Sequence, residues 1–127
     1  MGARAVTSRI IETDADVAEG LAALTALCPR MAEAAEVSGP LPLRRKPDGF
    51  AELLSAIVSQ QVSVASAKAI WSRIEGAGLT TPAAVAEAGE EELRALGLSR
   101  QKIRYAHALA AAEIDYPALR HAPDSEV

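Results

Sequence analysis

Few residues in this chain have the types and spacing that chemistry needs. The two histidines, His107 and His121, lie fourteen positions apart with no third ligand type placed to join them, so no metal site is expected. The single cysteine, Cys28, excludes an internal disulfide and cannot supply a multi-thiolate zinc site. Beside an apolar stripe, it reads as core rather than nucleophile. No serine sits in a Gly-x-Ser-x-Gly elbow, and no glycine-rich loop follows a strand. Glu90, Glu91 and Glu92 read as the solvated first turn of a helix rather than an acid–base pair. Two features remain. One is a polar interruption, Ser59-Gln60-Gln61-Val62-Ser63, between two apolar segments. The other is the placement of charge in a chain whose net charge is −4 and whose isoelectric point is near 5.2. Residues 41–74 hold five basic and two acidic groups, and residues 94–104 hold four basic and none acidic. Two basic islands in an acidic chain fit a local anion-facing surface, with solvated helix faces as the alternative.

The elements that carry these residues are helices. At 127 residues the expectation is one domain, and 50% hydrophobic residues exclude a disordered tail. Alanine is abundant, and β-branched residues nowhere alternate at period two over a useful length. Thr13 with Asp16 three residues on is a capping pair, followed by Val17, Leu21, Leu24 and Cys28 at helical spacing, a stripe expected to be buried. Pro29 suits the first turn of a short second helix carrying Met31, Ala35 and Val37. From Ser38 to Gly49 three prolines and two glycines enforce an extended connection, with Leu41 and Leu43 as anchors. Asp48 is the expected cap of a third helix holding Phe50, Leu53, Leu54, Ile57 and Val58 inward. After the polar break, Ser63 caps a fourth, with Val64, Ala67, Ile70, Trp71 and Ile74 inward and Gly76 and Gly78 ending it. Thr81-Pro82 opens a small alanine-rich helix, and a glutamate-led turn with Leu93 and Leu96 stops at Gly97. Ser99 caps the last long helix, with Ile103, Ala106, Leu109 and Ala110 inward. Its first residues include Arg100, Lys102 and Arg104, which oppose the helix dipole, so something other than helix stability is expected to place them. Residues 122–127 read as the opening of a further helix without its body.

The run from Phe50 to Ile74, with Ser59-Gln60-Gln61-Val62-Ser63-Val64 followed by Ala67-Lys68-Ala69, resembles the central helix pair of DNA-3-methyladenine glycosylase II. The run from Glu92 to Ala110, with Gly97-Leu98-Ser99 and Lys102 three residues on, resembles the segment that follows in the same family. Those enzymes belong to the helix-hairpin-helix glycosylase superfamily and excise alkylated bases in base excision repair. The resemblance implies an all-α orthogonal bundle, here the first part of the domain. One all-α domain or partial domain over 1–127 is expected: N-terminal helices in 1–37, the proline-rich connection at 38–49, and a partial central bundle in 50–127.

The resemblance also implies a mechanism in which the duplex is bent, the damaged nucleotide is extruded, and a side chain between the central helices fills the gap. Gln61 matches that wedge, bordered by Gln60 and Ser63. The alternative is that the glutamines satisfy backbone groups at the helix ends. Lys68, Arg100 and Lys102 are the expected phosphate contacts, with Arg44, Arg45, Lys46 and Arg104 as further cations. Two family features are expected to be missing: the Gly-x-Gly hairpin that grips a phosphate, and the late aspartate that stabilises an oxocarbenium-like charge. Asp115 and Asp124 do not match its position. On this reading the chain is a truncated glycosylase, inactive alone, that binds double-stranded DNA with alkylated bases weakly. A non-catalytic all-α DNA-binding or protein-interaction module is the alternative, and an unrelated helical domain the third. Self-association through uncovered faces of Phe50, Leu54, Ile57, Ile103 and Leu109 is expected. No cofactor is implied. No apolar run approaches the roughly 18 residues of a membrane span and no export signal is visible, so a cytoplasmic location is expected.

Overall fold

The structure is a computed structural model that describes residues 9–127. Residues 1–8, which open the expected N-terminal segment and the stretch read for an export signal, lie outside the described residues. Every regular element among the described residues is helical, and no helix there is long and apolar enough to cross a membrane. Contacts divide the chain into two compact units at Arg45/Lys46, within the proline-rich connection.

The first unit holds α1 (Asp14–Leu27) and α2 (Pro29–Ser38). The Thr13 hydroxyl accepts from the Asp16 N–H and the Asp16 carboxylate accepts from the Thr13 N–H, so the capping box forms. The expected buried stripe does not. Neither helix contains a buried residue; Val17, Leu21 and Cys28 are half-buried, and Leu24 is exposed. Cys28 is a helix junction, ending α1 and preceding α2, rather than core. Between the two helices lies a groove of about 750 Å³, lined by Val17 and Leu21 of α1, by the small Ala32 and Ala35 and by Glu36 of α2, and by Pro40 and Leu41, so no large apolar side chain of α2 fills it.

The second unit holds the core. Its helices are α3 (Phe50–Ser59), α4 (Val64–Gly76), α5 (Pro82–Glu87), α6 (Glu90–Ala95), α7 (Arg100–Ala111) and α8 (Tyr116–Leu119), with a last 3-10 turn at Asp124–Glu126. Helix α7 packs on α3, α5 and α6, while α3 packs on α4. Leu54, Val58, Ile74, Val85 and Leu93 are fully enclosed, and each such side chain contributes about 1.5–3 kcal/mol through burial. Ser63, Thr81 and Ser99 cap α4, α5 and α7 as their sequence positions predict. Asp48 does not cap α3. Gly49 takes the cap position at φ 126°, with no side-chain bond, and Asp48 instead forms an ion pair with Arg120.

Two of the expected inward residues point out: Leu53 is 41% exposed and Val64 is 74% exposed. Conversely, Leu79 and Leu98, which the periodicity leaves unassigned, are buried. Each follows a glycine in the left-handed region, Gly78 and Gly97, and each closes a Schellman stop. Leu79 N–H donates to Ile74 O and Gly78 N–H to Glu75 O; Leu98 N–H donates to Leu93 O and Gly97 N–H to Arg94 O.

The first of these stops corrects an expectation. The chain does contain a Gly-x-Gly sequence, Gly76-Ala77-Gly78, and its Gly78 amide and the Leu79 amide after it are spent inside the end of α4. They are not free to grip a phosphate. The apolar residues expected to be uncovered are covered: Phe50, Leu54 and Ile103 are buried, and Ile57 and Leu109 half-buried.

Candidate nucleic-acid interface

The polar break becomes a tight junction between α3 and α4. Ser59 ends α3, its hydroxyl donating to Ser55 O at 2.7 Å. The Gln60 N–H donates to Ile57 O at 3.2 Å, which tightens the last turn, and Gln60 itself is extended at φ −66°, ψ 136°. Gln61 then reverses the chain with φ 62°, a left-handed conformation that costs a non-glycine residue about 1–2 kcal/mol. Ser63 restarts the helix: its hydroxyl accepts from Ser66 N–H at 3.1 Å and donates to Ser66 Oγ at 3.0 Å. Gln60, Gln61 and Ser63 are exposed, and neither glutamine side chain has a hydrogen-bond partner among the described residues.

Several backbone groups at these helix ends have partners other than the glutamine side chains. Lys102 Nζ, at the start of α7, donates to Val58 O at 2.7 Å. Lys102 is half-buried by this reach, and it is the only one of the three expected phosphate contacts with a hydrogen bond among the described residues. Lys68 is exposed on α4 and makes no ion pair there. Arg100 is exposed at the start of α7, its Nε 3.9 Å from Glu90. Of the further cations, Arg45 pairs with Glu12 and Lys46 with Glu52. A depression of about 280 Å³ beside the junction is lined by Ser59, Val62, Val64, Lys68 and Trp71, with Lys46 at its edge and no carboxylate. The Trp71 ring is half-buried against the core and forms one wall, and its indole N–H donates to Glu75 at 3.0 Å. The structure thus gathers Gln60, Gln61, Ser63 and Lys68 at one end of the α3–α4 pair. Arg100 and Lys102 start the adjoining helix.

Sequence reasoning missed the backbone of Gln61 and the partners of Lys102 and Arg73. Arg73 of α4 donates to Leu96 O at 2.8 Å, tying the α6–α7 turn to α4. For Lys102 the available signal was a cation set against the dipole of its own helix.

Elsewhere the candidate chemistry dissolves into structure. His107 Nε2 lies 2.8 Å from Ala88 O, a carbonyl that only accepts, so the ring donates there. No group of metal-ligating side chains forms among the described residues. Glu90 and Glu91 pair with Arg94, Asp115 accepts from Ala118 N–H to cap α8, and Asp124 opens the last turn. The shifted ionisations lie at the start of α1. There the Arg9 guanidinium hydrogen-bonds Asp16 and Glu19 and holds both carboxyls below their ordinary values, while the two acids raise Arg9 in return.

Residues 54–125 match the family model described as HhH-GPD superfamily base excision DNA repair protein. No curated protein sequence matches the chain. Among solved structures, a DNA-3-methyladenine glycosidase from Bacillus halodurans superposes with a TM-score of 0.69 at 31% sequence identity, over 81% of this chain and 51% of that one. The chain therefore spans about half the length of that relative. The family match includes the α3–α4 junction and the whole of α7, the two segments on which the sequence resemblance rests. This chain belongs to the HhH-GPD superfamily of base excision DNA repair proteins.

Proposed function

We propose that these residues form the lesion-engaging part of a DNA glycosylase that removes alkylated bases of the 3-methyladenine type by hydrolysing the N-glycosidic bond. Gln61 enters the base stack where the damaged nucleotide leaves it. Gln60 and Ser63 border the gap, and Lys68 and Arg100 meet phosphates on either side. The observation that carries this reading is Gln61 itself, an exposed side chain with no hydrogen-bond partner among the described residues, on a backbone held in the left-handed region. Such strain collects at functional sites, and at Gln61 it falls within the polar junction whose sequence resembles the family's wedge segment. An amide side chain there has both a donor and an acceptor for the orphaned partner base. Bond cleavage is not assigned to any of the described carboxylates, since none lines the depression beside the junction.

The test is binding to two duplexes of one sequence, one intact and one with an abasic site. The abasic duplex is expected to bind more tightly, and Gln61→Ala is expected to lower that preference about tenfold, the worth of one or two hydrogen bonds. Equal affinity for the two duplexes, unaltered by Gln61→Ala, overturns the reading in favour of a module that does not engage lesions. Base release from alkylated DNA by the 127-residue chain is the companion measurement. None is expected, and turnover that survives stringent purification would place the catalytic carboxylate within these residues.

A further inference from the structure

Lys102 is the third residue of a helix whose positive end it should avoid. Its side chain leaves that end. The ammonium crosses to the last turn of α3 and donates to Val58 O at 2.7 Å, a contact between residues 44 apart in sequence. The carbonyls of a last turn have no partners within their helix and mark its negative end, so a cation is favourable there. Three residues beyond Val58 stands Gln61 at φ 62°. The backbone between them is therefore held on both sides, by Lys102 on α3 and by the Ser63 cap on α4. Arg73 completes the frame by fixing the turn before α7 to α4.

We propose that Lys102 is a positioning residue that locks the end of α3 and so presents Gln61 in its left-handed conformation. The proposal rests on the lesion-engaging reading of Gln61 for its consequence in DNA binding, although the lock itself belongs to the free protein. It gives Lys102 a role distinct from a phosphate contact. A contact adds affinity uniformly across sequences, whereas a lock sets the preference for a gap in the stack.

Two measurements on the full chain decide this, each with Lys102→Met, which keeps the stem and removes the donors, and Lys102→Arg, which restores one. The first is amide exchange in the free protein. Lys102→Met is expected to speed exchange at Gln60 and the other amides of the last turn of α3 about tenfold, leaving α5 unchanged, because a charged hydrogen bond is lost there. Lys102→Arg is expected to recover most of the protection. The second is the ratio of abasic to intact duplex affinity across a salt series. Lys102→Met is expected to lose most of that ratio with the salt slope unchanged. A phosphate contact predicts the reverse: the slope falls by about 0.9 and the ratio survives. Wild-type exchange in Lys102→Met, or that reversed pattern, overturns the proposal. If Gln61→Ala keeps the wild-type ratio, the DNA reading fails, and the exchange data still decide the lock. Where Lys102→Met does not fold, Lys102→Leu, which also lacks a donor, takes its place under the same criteria.

Discussion

Replacing Gln61 with glycine is expected to stabilise the protein while impairing its engagement of lesions. Two terms set the magnitude. The left-handed backbone at φ 62° costs a residue with a Cβ about 1–2 kcal/mol, and glycine removes that cost. Glycine also gives the unfolded chain more freedom, which takes back about 0.4–1 kcal/mol. The Gln61 side chain itself is exposed and has no hydrogen-bond partner among the described residues, so losing it adds little. The balance is a gain of about 0.5–1 kcal/mol. For the unit from Lys46 to Val127 this corresponds to a rise in Tm of about 2–8 °C. Gln61→Ala separates the two terms. It keeps a Cβ and hence the backbone cost, so its stability is expected to stay within about 0.5 kcal/mol of wild type.

Urea unfolding followed by circular dichroism measures both variants, with an unchanged m-value required for the comparison. Glu113→Gly is the internal control. Glu113 also lies in the left-handed region, at φ 49°, exposed just after the end of α7. It is expected to gain a similar amount without any change in the preference for an abasic duplex. A fall in stability for Gln61→Gly, with Glu113→Gly rising, would refute the claim that the junction stores strain. The Gln61 backbone would then be a relaxed turn, and its exposure would carry no functional weight.

Two further outcomes are expected. Gly97→Ala is expected to destabilise the chain by about 2–3 kcal/mol in the same unfolding assay, because left-handed strain combines with collision. A Cβ there would meet Arg73 Nη1 at 3.0 Å and Ile70 Cγ1 at 3.1 Å, whereas Gly89, with nothing within 4 Å, is expected to tolerate alanine. Acid is expected to loosen α1 selectively. Asp16 is held below its ordinary value of 3.8 by Arg9 first and by the Glu12 and Thr13 amides and the Thr13 hydroxyl, so its contribution is full above that value and is lost as pH falls below it. Amide exchange in α1 between about pH 5 and pH 2 reads this. A flat profile, or Asp16→Asn retaining the wild-type pH response, would show that the Arg9 cluster does not hold the helix.

The helices themselves are legible in the sequence because their signals are local. A hydroxyl at Thr13, Ser63, Thr81 or Ser99 captures an amide three residues on, and that geometry needs nothing from the rest of the chain. The failures are the places where a partner far away decides. Asp48 has the same short acceptor as the successful caps, yet Arg120, 72 residues later, takes it. Leu53 repeats at core spacing, but nothing covers that face of α3 deeply enough to bury it. Leu79 and Leu98 break the helical period and are buried all the same. A Schellman stop turns the residue after its glycine back onto its own helix, so Gly-Leu was the pattern to read in both places.

The candidate interface divides along the same line. Residue types at Ser59-Gln60-Gln61-Val62-Ser63 mark a junction, but only the backbone distinguishes its two glutamines, one extended and one left-handed. Charge was the least legible feature, since a sequence counts cations without showing which are engaged. In the two basic islands, Arg73 ties a turn, Arg94 holds Glu90 and Glu91, and Lys102 closes the end of α3, whereas Lys68 and Arg104 make no ion pair among the described residues. An anion-facing surface built from all of them would have to break these contacts and also the pairs of Arg45 with Glu12, Lys46 with Glu52 and Arg100 with Glu90. One that uses Lys68 beside an already exposed Gln61 breaks none. The islands therefore serve two ends: part of their charge fixes how α3, α4, α6 and α7 meet, and the remainder is available to a phosphate backbone. Lys102 sits where these meet, which is why removing it is expected to alter selectivity for a gap and not the salt dependence of binding.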